Sequence, residues 1–310
     1  MKFDRSRRSN SSFDETRPEG PPLKTVPIIE VLRIQQWIKN LAVWIPVFLT
    51  PSALNARSAT QLGLMFLAFC FVASAIYVIN DYVDRESDSR HPTKKNRPIA
   101  RGAVGRNTAF GLIGVLAIAG FGFAAAAGNP ITLALVASYF VINIGYSIRL
   151  KHFPIIDVGC IACGFILRLE TGLQLTDVDP SVWMLVLTAL VALFLALGKR
   201  RDDIVLGLDA THRKSIDGYN KQFLDISVSI ILGSLLIGYL IYTTDQHVIE
   251  HYGTDRLIWT SPFVIAGILR YLQIMLVEER SGSPTEILLT DRFLIVTVLL
   301  WALSFRWLIY

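Results

Sequence analysis

Long apolar segments, separated by short polar connections, make up most of the chain. Nine of them reach roughly the 20 residues needed to cross the hydrocarbon core of a bilayer. They are 27–50, 60–83, 107–127, 130–149, 154–174, 181–199, 222–243, 258–277 and 291–309. Because lipid offers no hydrogen-bond partner to an open strand edge, these segments must be helices. The pattern predicts an all-α, polytopic membrane protein with nine transmembrane helices.

The composition agrees with this fold class. Of all residues, 52% are hydrophobic and only 18% are charged, which is too apolar for an ordinary soluble domain. Residues 1–24 differ, because they are polar, rich in Ser, Arg and Pro, and have no apolar period. We expect a disordered tail there, and not a secretory signal, since no apolar core precedes a cleavage site. Residues 25–310 would then form one membrane domain.

Lys and Arg residues concentrate in alternate connections between the apolar segments. They are frequent in 1–24, 85–106, 149–151 and 199–221, whereas the other connections carry few. Cytoplasmic loops of membrane proteins are enriched in these residues. We therefore expect the N-terminus and the basic loops in the cytoplasm. The formal net charge of +5 reflects this excess, and no basic surface with interleaved aromatic residues indicates nucleic-acid binding.

An acidic motif follows the second apolar segment. Asp81, Asp84 and Asp88 are spaced at i, i+3 and i+7, which places them on one face of a helix. Stacked carboxylates repel one another and need a cation, and Mg²⁺ is the hard, oxygen-bound ion that fits them best. The basic stretch 91–98 comes directly afterwards. Together these features indicate a phosphorylated ligand that a metal bridges to the protein.

Further polar groups lie at the cytoplasmic ends of other segments. The stretches are 33–40, 146–151 and 198–203. Each also has a plain structural interpretation: Trp37 as an interfacial anchor, Lys39 as a snorkelling charge, 146–151 as a positively charged stop at the cytoplasmic side, and 198–203 as a solvated helix boundary.

Charged residues also lie inside the apolar segments, where they need a partner or a ligand. They are Arg168, Glu170 and Arg270. Pairing of Arg168 with an acid is the structural alternative to a functional role. No Ser-His-Asp order and no phosphate-binding glycine loop is present. The histidines do not show HExxH spacing, which argues against a zinc site.

The motif N-D-x-x-D-x-x-x-D at 80–88, followed by H-P-x-K-x-x-R-P at 91–98, resembles the signature of the UbiA superfamily of intramembrane prenyltransferases. Three further motifs resemble one branch, the decaprenyl-phosphate phosphoribosyltransferases. They are R-x-x-Q-W-x-K-N at 33–40, G-K-R-x-x-acid at 198–203 and R-K-S-x-x-x-Y at 213–219. The resemblance covers about residues 28–309 and implies a nine-helix UbiA-type bundle with cytoplasmic active-site loops, in a bacterial inner membrane.

The resemblance also implies a reaction and a site. A 5-phosphoribosyl group would move from phosphoribosyl diphosphate to a polyprenyl phosphate, and Mg²⁺ would be bound by Asp81, Asp84 and Asp88. Substrate contacts are expected from ten residues: Lys39, Asn80, Lys94, Arg97, Tyr146, Lys151, Arg168, Lys199, Arg200 and Asp203. The division of Arg168, Lys199 and Arg200 between the ribose 5-phosphate and the lipid phosphate stays open. A homo-oligomer is compatible with this site.

The end of the sixth segment departs from the wider family. Aromatic prenyltransferases of this type carry a second acidic motif there, whereas this chain has Lys199-Arg200-Arg201-Asp202-Asp203. More bases suit two phosphorylated substrates, although the branch typically has Glu where Asp203 stands. Two alternatives remain open: an aromatic prenyltransferase that uses a polyprenyl diphosphate, and a membrane transporter or lipid scaffold.

Overall fold

The computed structural model describes residues 27–91, 94–176, 178, 181–206, 218–279 and 284–309, and in these ranges the chain is helical without a strand. The α-helices are α1 Pro27–Leu32, α2 Ile45–Leu49, α3 Ala56–Val83, α4 Arg85–Arg90, α5 Arg106–Ala126, α6 Pro130–Ile148, α7 Ile156–Leu173, α8 Val182–Val205, α9 Lys221–Thr244, α10 Gln246–Tyr252, α11 Ser261–Leu276, α12 Pro284–Thr290 and α13 Arg292–Ile309. The 3₁₀ helices are Ile34–Trp44, Pro51–Ala53, Lys94–Asn96, Leu150–His152 and Arg256–Thr260. The predicted tail 1–24 lies outside the described residues.

Seven segments of the described chain are long and apolar enough to cross a membrane. They are α3, α5, α6, α8, α9, the continuous segment Arg256–Leu276, and α13. The all-α membrane class is thus confirmed, but the prediction of nine spans is not. The two that differ are the first, which is broken, and the fifth, α7, which carries Asp157, Arg168 and Glu170 within 18 residues. Three charges in so short a helix raise the cost of exposing it to lipid.

The first predicted span is broken at Arg33, which has a left-handed backbone with φ 51°. α1 ends just before it, and the chain continues as the 3₁₀ helix Ile34–Trp44. Such a long 3₁₀ helix is uncommon and depends on its surroundings. The indole of Trp37 donates to Ser74 Oγ on α3 at 3.1 Å, and a Cβ on Gly172 of α7 would lie 2.1 Å from the Val43 carbonyl oxygen. The 3₁₀ helix Ile34–Trp44 is therefore packed between α3 and α7.

Side-chain caps fix where several of the long helices begin. Asn55 and Ser58 form a reciprocal capping box at the start of α3. Asn129 caps α6 ahead of a proline, Ser181 caps α8, and Asn220 caps α9. These side chains bind amide groups that the first helical turn leaves without partners. The helix starts are thus determined locally.

The two ends of the bundle are marked by different contacts. At one end, charged side chains link distant parts of the chain: Glu30–Arg101, Asp84–Lys151 and Arg201 with the Met275 carbonyl. At the other end the links are mostly between neutral groups: Gln61–Ala127, Asn129–Gln174 and Thr50–His251. Between the ends lie apolar clusters, one centred on α3 and another on α8, α9 and α11. The predicted site residues gather at the charged end.

Candidate active site

The acidic motif does not lie on one continuous helix. α3 ends at Val83, and Asp84 has φ −89° and ψ 2° before α4 begins. The hydrogen bond from the Asp88 amide to the Asp84 carbonyl, at 2.8 Å, nevertheless keeps close to helical spacing across the break. One guanidinium nitrogen of Arg97 donates to Asp81 at 3.0 Å and to Asp88 at 2.7 Å. The carboxylates therefore converge, although by a bent path.

Basic residues from three other segments bind these carboxylates. Arg33 pairs with Asp81 at 2.5 Å. Lys151 pairs with Asp84 at 2.5 Å and also donates to Asn80 Oδ1 at 3.3 Å. Asp84 is the most accessible of the three acids, since its side chain is 25% exposed, against 2% for Asp81. The structure thus brings together the predicted residues Asn80, Arg97 and Lys151 around the motif.

Two predicted lysines face the same region without an acid. The positive charges of Arg168, Lys199 and Arg33 act on Lys39. Within the described ranges, neither Lys39 nor Lys199 is paired with a carboxylate, and both are exposed. The positive charges of these side chains repel one another. The site therefore has positive charge that an anionic ligand would neutralise.

Arg168 is buried on α7 among neutral partners. Its guanidinium donates to Asn40 Oδ1 at 2.8 Å, to the Tyr139 hydroxyl at 2.7 Å and to the Gly164 carbonyl at 2.7 Å. It also lies over the Tyr139 ring, 4.4 Å from the ring centroid. The alternative of pairing with an acid is not found in the part of the chain that the structure describes, so its charge remains uncompensated by a carboxylate.

The basic run at the end of α8 is largely engaged with acids. Arg200 is only 2% exposed and donates to Asp157 at 2.8 Å and to Asp203 at 3.3 Å. Arg201 donates to Asp225 at 2.5 Å. Sequence reasoning did not single out Asp157 as a partner. The sequence could have indicated such a role for Asp157, because an acid inside an apolar segment usually has a basic or polar partner.

Tyr219 is the second residue that sequence reasoning left without a role. Its hydroxyl donates to Asp157 Oδ1 at 2.7 Å and accepts the amide hydrogen of Ile155 at 2.6 Å. Burial raises the pKa of Tyr219 to about 12, so the hydroxyl stays protonated at neutral pH. Residues 213–217 of the motif that ends here lie outside the described residues.

The remaining predicted residues lie at the same end of the bundle. Lys94 begins a short 3₁₀ helix beside the motif, and its amide donates to His91 Nδ1 at 3.3 Å. Tyr146 is half-buried near the end of α6 and interacts electrostatically with Arg200.

Two of the charged residues inside apolar segments pair with side chains outside the acidic motif. Arg270 binds Asp291 at 2.7 Å and Glu278 at 2.6 Å, which confirms that it has partners. Glu170 accepts from Gln174 at 2.7 Å, near the opposite end of the bundle.

A helical membrane bundle with convergent carboxylates and surplus cations at one end defines an intramembrane protein with a site for anions. A sequence profile of the UbiA prenyltransferase family matches residues 42–244. The chain belongs to this family.

Curated relatives extend the match to nearly the whole chain. The decaprenyl-phosphate phosphoribosyltransferase of Corynebacterium glutamicum is 33% identical over 94% of this chain and 89% of its own length. The enzyme of the same name from Mycolicibacterium smegmatis is 33% identical over 93% of this chain and 94% of its own. Among solved structures, a UbiA homologue from Archaeoglobus fulgidus bound to GPP and Mg²⁺ matches with a TM-score of 0.68 at 20% identity, covering 90% of this chain and 99% of that one. The last match shows the shared fold.

The oxygen atoms at the acidic motif that could bind a metal suit a divalent ion of the kind bound in that homologue. Carboxylate oxygens of Asp81, Asp84 and Asp88 and the amide oxygen of Asn80 are hard ligands, which Mg²⁺ prefers. Among the described residues, no three His, Cys, Asp or Glu side chains form a ready metal cage. Mg²⁺ usually binds through one or two carboxylates together with water and substrate phosphates. The residues therefore fit a metal that arrives with a phosphorylated ligand.

Proposed function

We propose that this protein transfers a 5-phosphoribosyl group from phosphoribosyl diphosphate to a polyprenyl phosphate and releases diphosphate. The observation that carries the proposal is the surplus of cations, Lys39 and Lys199, beside the ion-paired acidic motif. One metal-bound diphosphate would use the acids, and a second phosphate group would use the lysines. The names of the two full-length relatives support the same activity.

Asp81, Asp84 and Asp88, with Asn80, would hold Mg²⁺ against the diphosphate of the donor. When bound there, the metal would neutralise the negative charge that grows on the departing diphosphate. Arg97 and Lys151 already touch these carboxylates and would donate charge-assisted hydrogen bonds to the same phosphate oxygens. We propose that Lys94 and Arg33 complete this donor subsite.

Lys39 and Lys199 would bind the other phosphate group, either the ribose 5-phosphate or the lipid phosphate. The charge of Arg168 acts on Lys39 and would reinforce the positive potential there, and Tyr146 would line the same region. Arg200 and Asp203 are bound to each other, and Arg200 is also bound to Asp157. We therefore propose that these two residues shape the site, whereas the sequence alone predicted direct contacts.

The chemistry needs no general base. The anomeric carbon develops positive charge as the diphosphate departs, and the acceptor phosphate is already an anion that can attack it. The side chains have to bring two anionic groups together and reduce their repulsion, which is the role of the cations described above. This agrees with a site made of carboxylates, lysines and arginines.

We propose that the site opens to the cytoplasm across a bacterial inner membrane, with the N-terminus on that side. The support is the basic loop 85–106, which lies at the same end of the bundle as the acidic motif. A water-soluble donor would then enter from the cytoplasm, while the lipid acceptor reaches the site from the bilayer.

Two substrate pairs test the proposal. Purified protein with Mg²⁺ is offered phosphoribosyl diphosphate with polyprenyl phosphate, or polyprenyl diphosphate with an aromatic acid. We expect a phosphoribosylated lipid from the first pair only, and its loss when EDTA is added. Product only from the second pair would show an aromatic prenyltransferase instead, and product from neither pair would reject both transferase activities.

A further inference from the structure

The turn between α6 and α7 has a backbone that its own sequence does not favour. After the 3₁₀ helix Leu150–His152 the chain passes through Pro154 to Ile155, which has φ 69°. A β-branched residue with positive φ is rare, because its Cβ crowds the backbone. Such a conformation persists only where surrounding contacts determine it. The contacts that hold this turn therefore determine the position of the side chains next to it.

Tyr219, just before α9, supplies the main contact. Its hydroxyl accepts the amide hydrogen of the strained Ile155 at 2.6 Å and donates its own proton to Asp157 Oδ1 at 2.7 Å. A tyrosine hydroxyl has a single proton to donate, so these two bonds determine its orientation. The Tyr219 hydroxyl thus links both Ile155 and Asp157, the first and last residues of this stretch, to the chain before α9.

Two further contacts hold the same junction. Asp157 is fully buried and accepts from Arg200 Nε at 2.8 Å, so α8 is bound to it as well. Gly218 lies against Pro154, where a Cβ would come within 2.1 Å of the proline Cγ. Two separate segments, α8 and the chain just before α9, therefore hold this one turn through three residues.

The turn carries Lys151, which reaches the acidic motif. Lys151 is buried, and its Nζ lies 2.5 Å from Asp84 Oδ1 and 3.3 Å from Asn80 Oδ1. The lysine lies in the single-turn 3₁₀ helix Leu150–His152, between the end of α6 and the strained turn. Its placement against Asp84 thus depends on how the turn is held.

We propose that Tyr219 and Asp157 are positioning residues that hold this turn so that Lys151 lies against Asp84 at the donor subsite. The proposal rests on the function proposed above for its effect on turnover, but the holding of the turn can be measured without turnover. Neither residue needs to touch a substrate.

Hydrogen exchange in the full-length protein tests the holding directly. Tyr219→Phe removes one hydroxyl and keeps the ring, and we expect the amides of residues 151–153, 155 and 156 to exchange about tenfold faster. Tyr242→Phe is the matched control, because it removes a hydroxyl that bonds to Tyr252 at the other end of the bundle. Gly218→Ala, which displaces Pro154, should reproduce the effect of Tyr219→Phe. Unchanged exchange in both test variants would overturn the proposal.

A double-mutant cycle tests the action through Lys151. Tyr219→Phe should lower kcat/KM for phosphoribosyl diphosphate about tenfold, because a displaced Lys151 would lose its charge-assisted hydrogen bond to the diphosphate, and should leave KM for polyprenyl phosphate unchanged. In a Lys151→Ala background the same substitution should have no further effect. Fully additive losses would reject a role through Lys151. If the wild-type protein does not turn over these substrates, the proposed function fails, and the exchange measurement alone decides the holding of the turn.

Discussion

At the residue scale, the carboxylates of the acidic motif form ion pairs with basic residues from other parts of the chain. Asp81 binds Arg33 and Arg97, and Asp84 binds Lys151, so each carboxylate already neighbours a cation that can also bind phosphate. In the proposed reaction, the same bases would move from carboxylate to phosphate oxygens over a short distance as the metal and the diphosphate bind. The acids would thus position the bases as well as the proposed metal.

Asp84→Ala should lower turnover on the order of a thousandfold, because a carboxylate that holds the metal at a leaving group contributes several kcal/mol to the transition state. Turnover should be measured together with binding of Mg²⁺ in the presence of diphosphate, which should also weaken. Asp255→Ala is the control, since Asp255 is an exposed acid at the other end of the bundle. Near wild-type turnover in a folded Asp84→Ala protein would contradict the metal assignment.

Lys199→Ala should raise KM about tenfold for one of the two phosphate-bearing substrates, as expected for the loss of a hydrogen bond between charged groups. The KM of each substrate is measured separately, which also shows which phosphate the lysine binds. The dependence of turnover on Mg²⁺ should stay the same. Arg256→Ala removes an exposed cation from the far end and should change neither KM. Two unchanged KM values in the Lys199 variant would be evidence against this subsite.

At the element scale, the broken first segment and α7 are mutually dependent. The 3₁₀ helix Ile34–Trp44 carries Lys39 and Asn40, and Asn40 receives a hydrogen bond from Arg168 on α7. The two elements approach closely at Gly172, which has no side chain to separate them. Displacing this contact should therefore disturb both the stability of the bundle and the position of Lys39.

Gly172→Ala tests this close approach. Its Cβ would lie 2.1 Å from the Val43 carbonyl oxygen, so we expect destabilisation of about 1–3 kcal/mol from overpacking, seen as a lower midpoint of thermal unfolding. The control is Gly233→Ala on α9, where nothing lies within 4 Å of the added Cβ. There the better helix propensity of Ala should leave stability unchanged or slightly raised. Equal midpoints for the two variants would show that the approach is not tight.

The bounds of most long helices were predictable from the chain alone. The predicted segments 107–127 and 130–149 differ by one residue at most from the observed α5 and α6. A long apolar run defines a membrane helix by itself, because its backbone must be satisfied within the segment. The first segment was not predictable in the same way, since its break at Arg33 depends on packing against α3 and α7.

At the scale of the whole molecule, the charged contacts gather at one end of the bundle and the mostly neutral ones at the other. This asymmetry matches the alternation of Lys and Arg along the chain. A protein with such an asymmetry inserts with its basic loops toward the cytoplasm. We therefore predict that the end of the bundle that carries the candidate site faces the cytoplasm.

Cysteine labelling tests this orientation. In a variant without Cys70, Cys160 and Cys163, a single cysteine replaces either Ser89, beside the acidic motif, or Asp255, at the other end; both positions are exposed. A membrane-impermeant thiol reagent added to intact cells should label only the protein with cysteine at position 255. After the cells are opened, both should be labelled. Labelling of position 89 in intact cells would reverse the proposed topology.

The sequence by itself determined the membrane class, the length of most spans, and the acidic and basic motifs, because each depends on residues close together in the chain. The tertiary structure decided which charges meet. Lys151 reaches Asp84 across 67 positions, and Arg168 reaches Asn40 across 128. Whether a buried charge finds an acid, a neutral group or no carboxylate at all depends on how helices pack, and no local pattern contains that information. For that reason Arg200 was predicted as a substrate contact, and only packing against α7 placed Asp157 beside it.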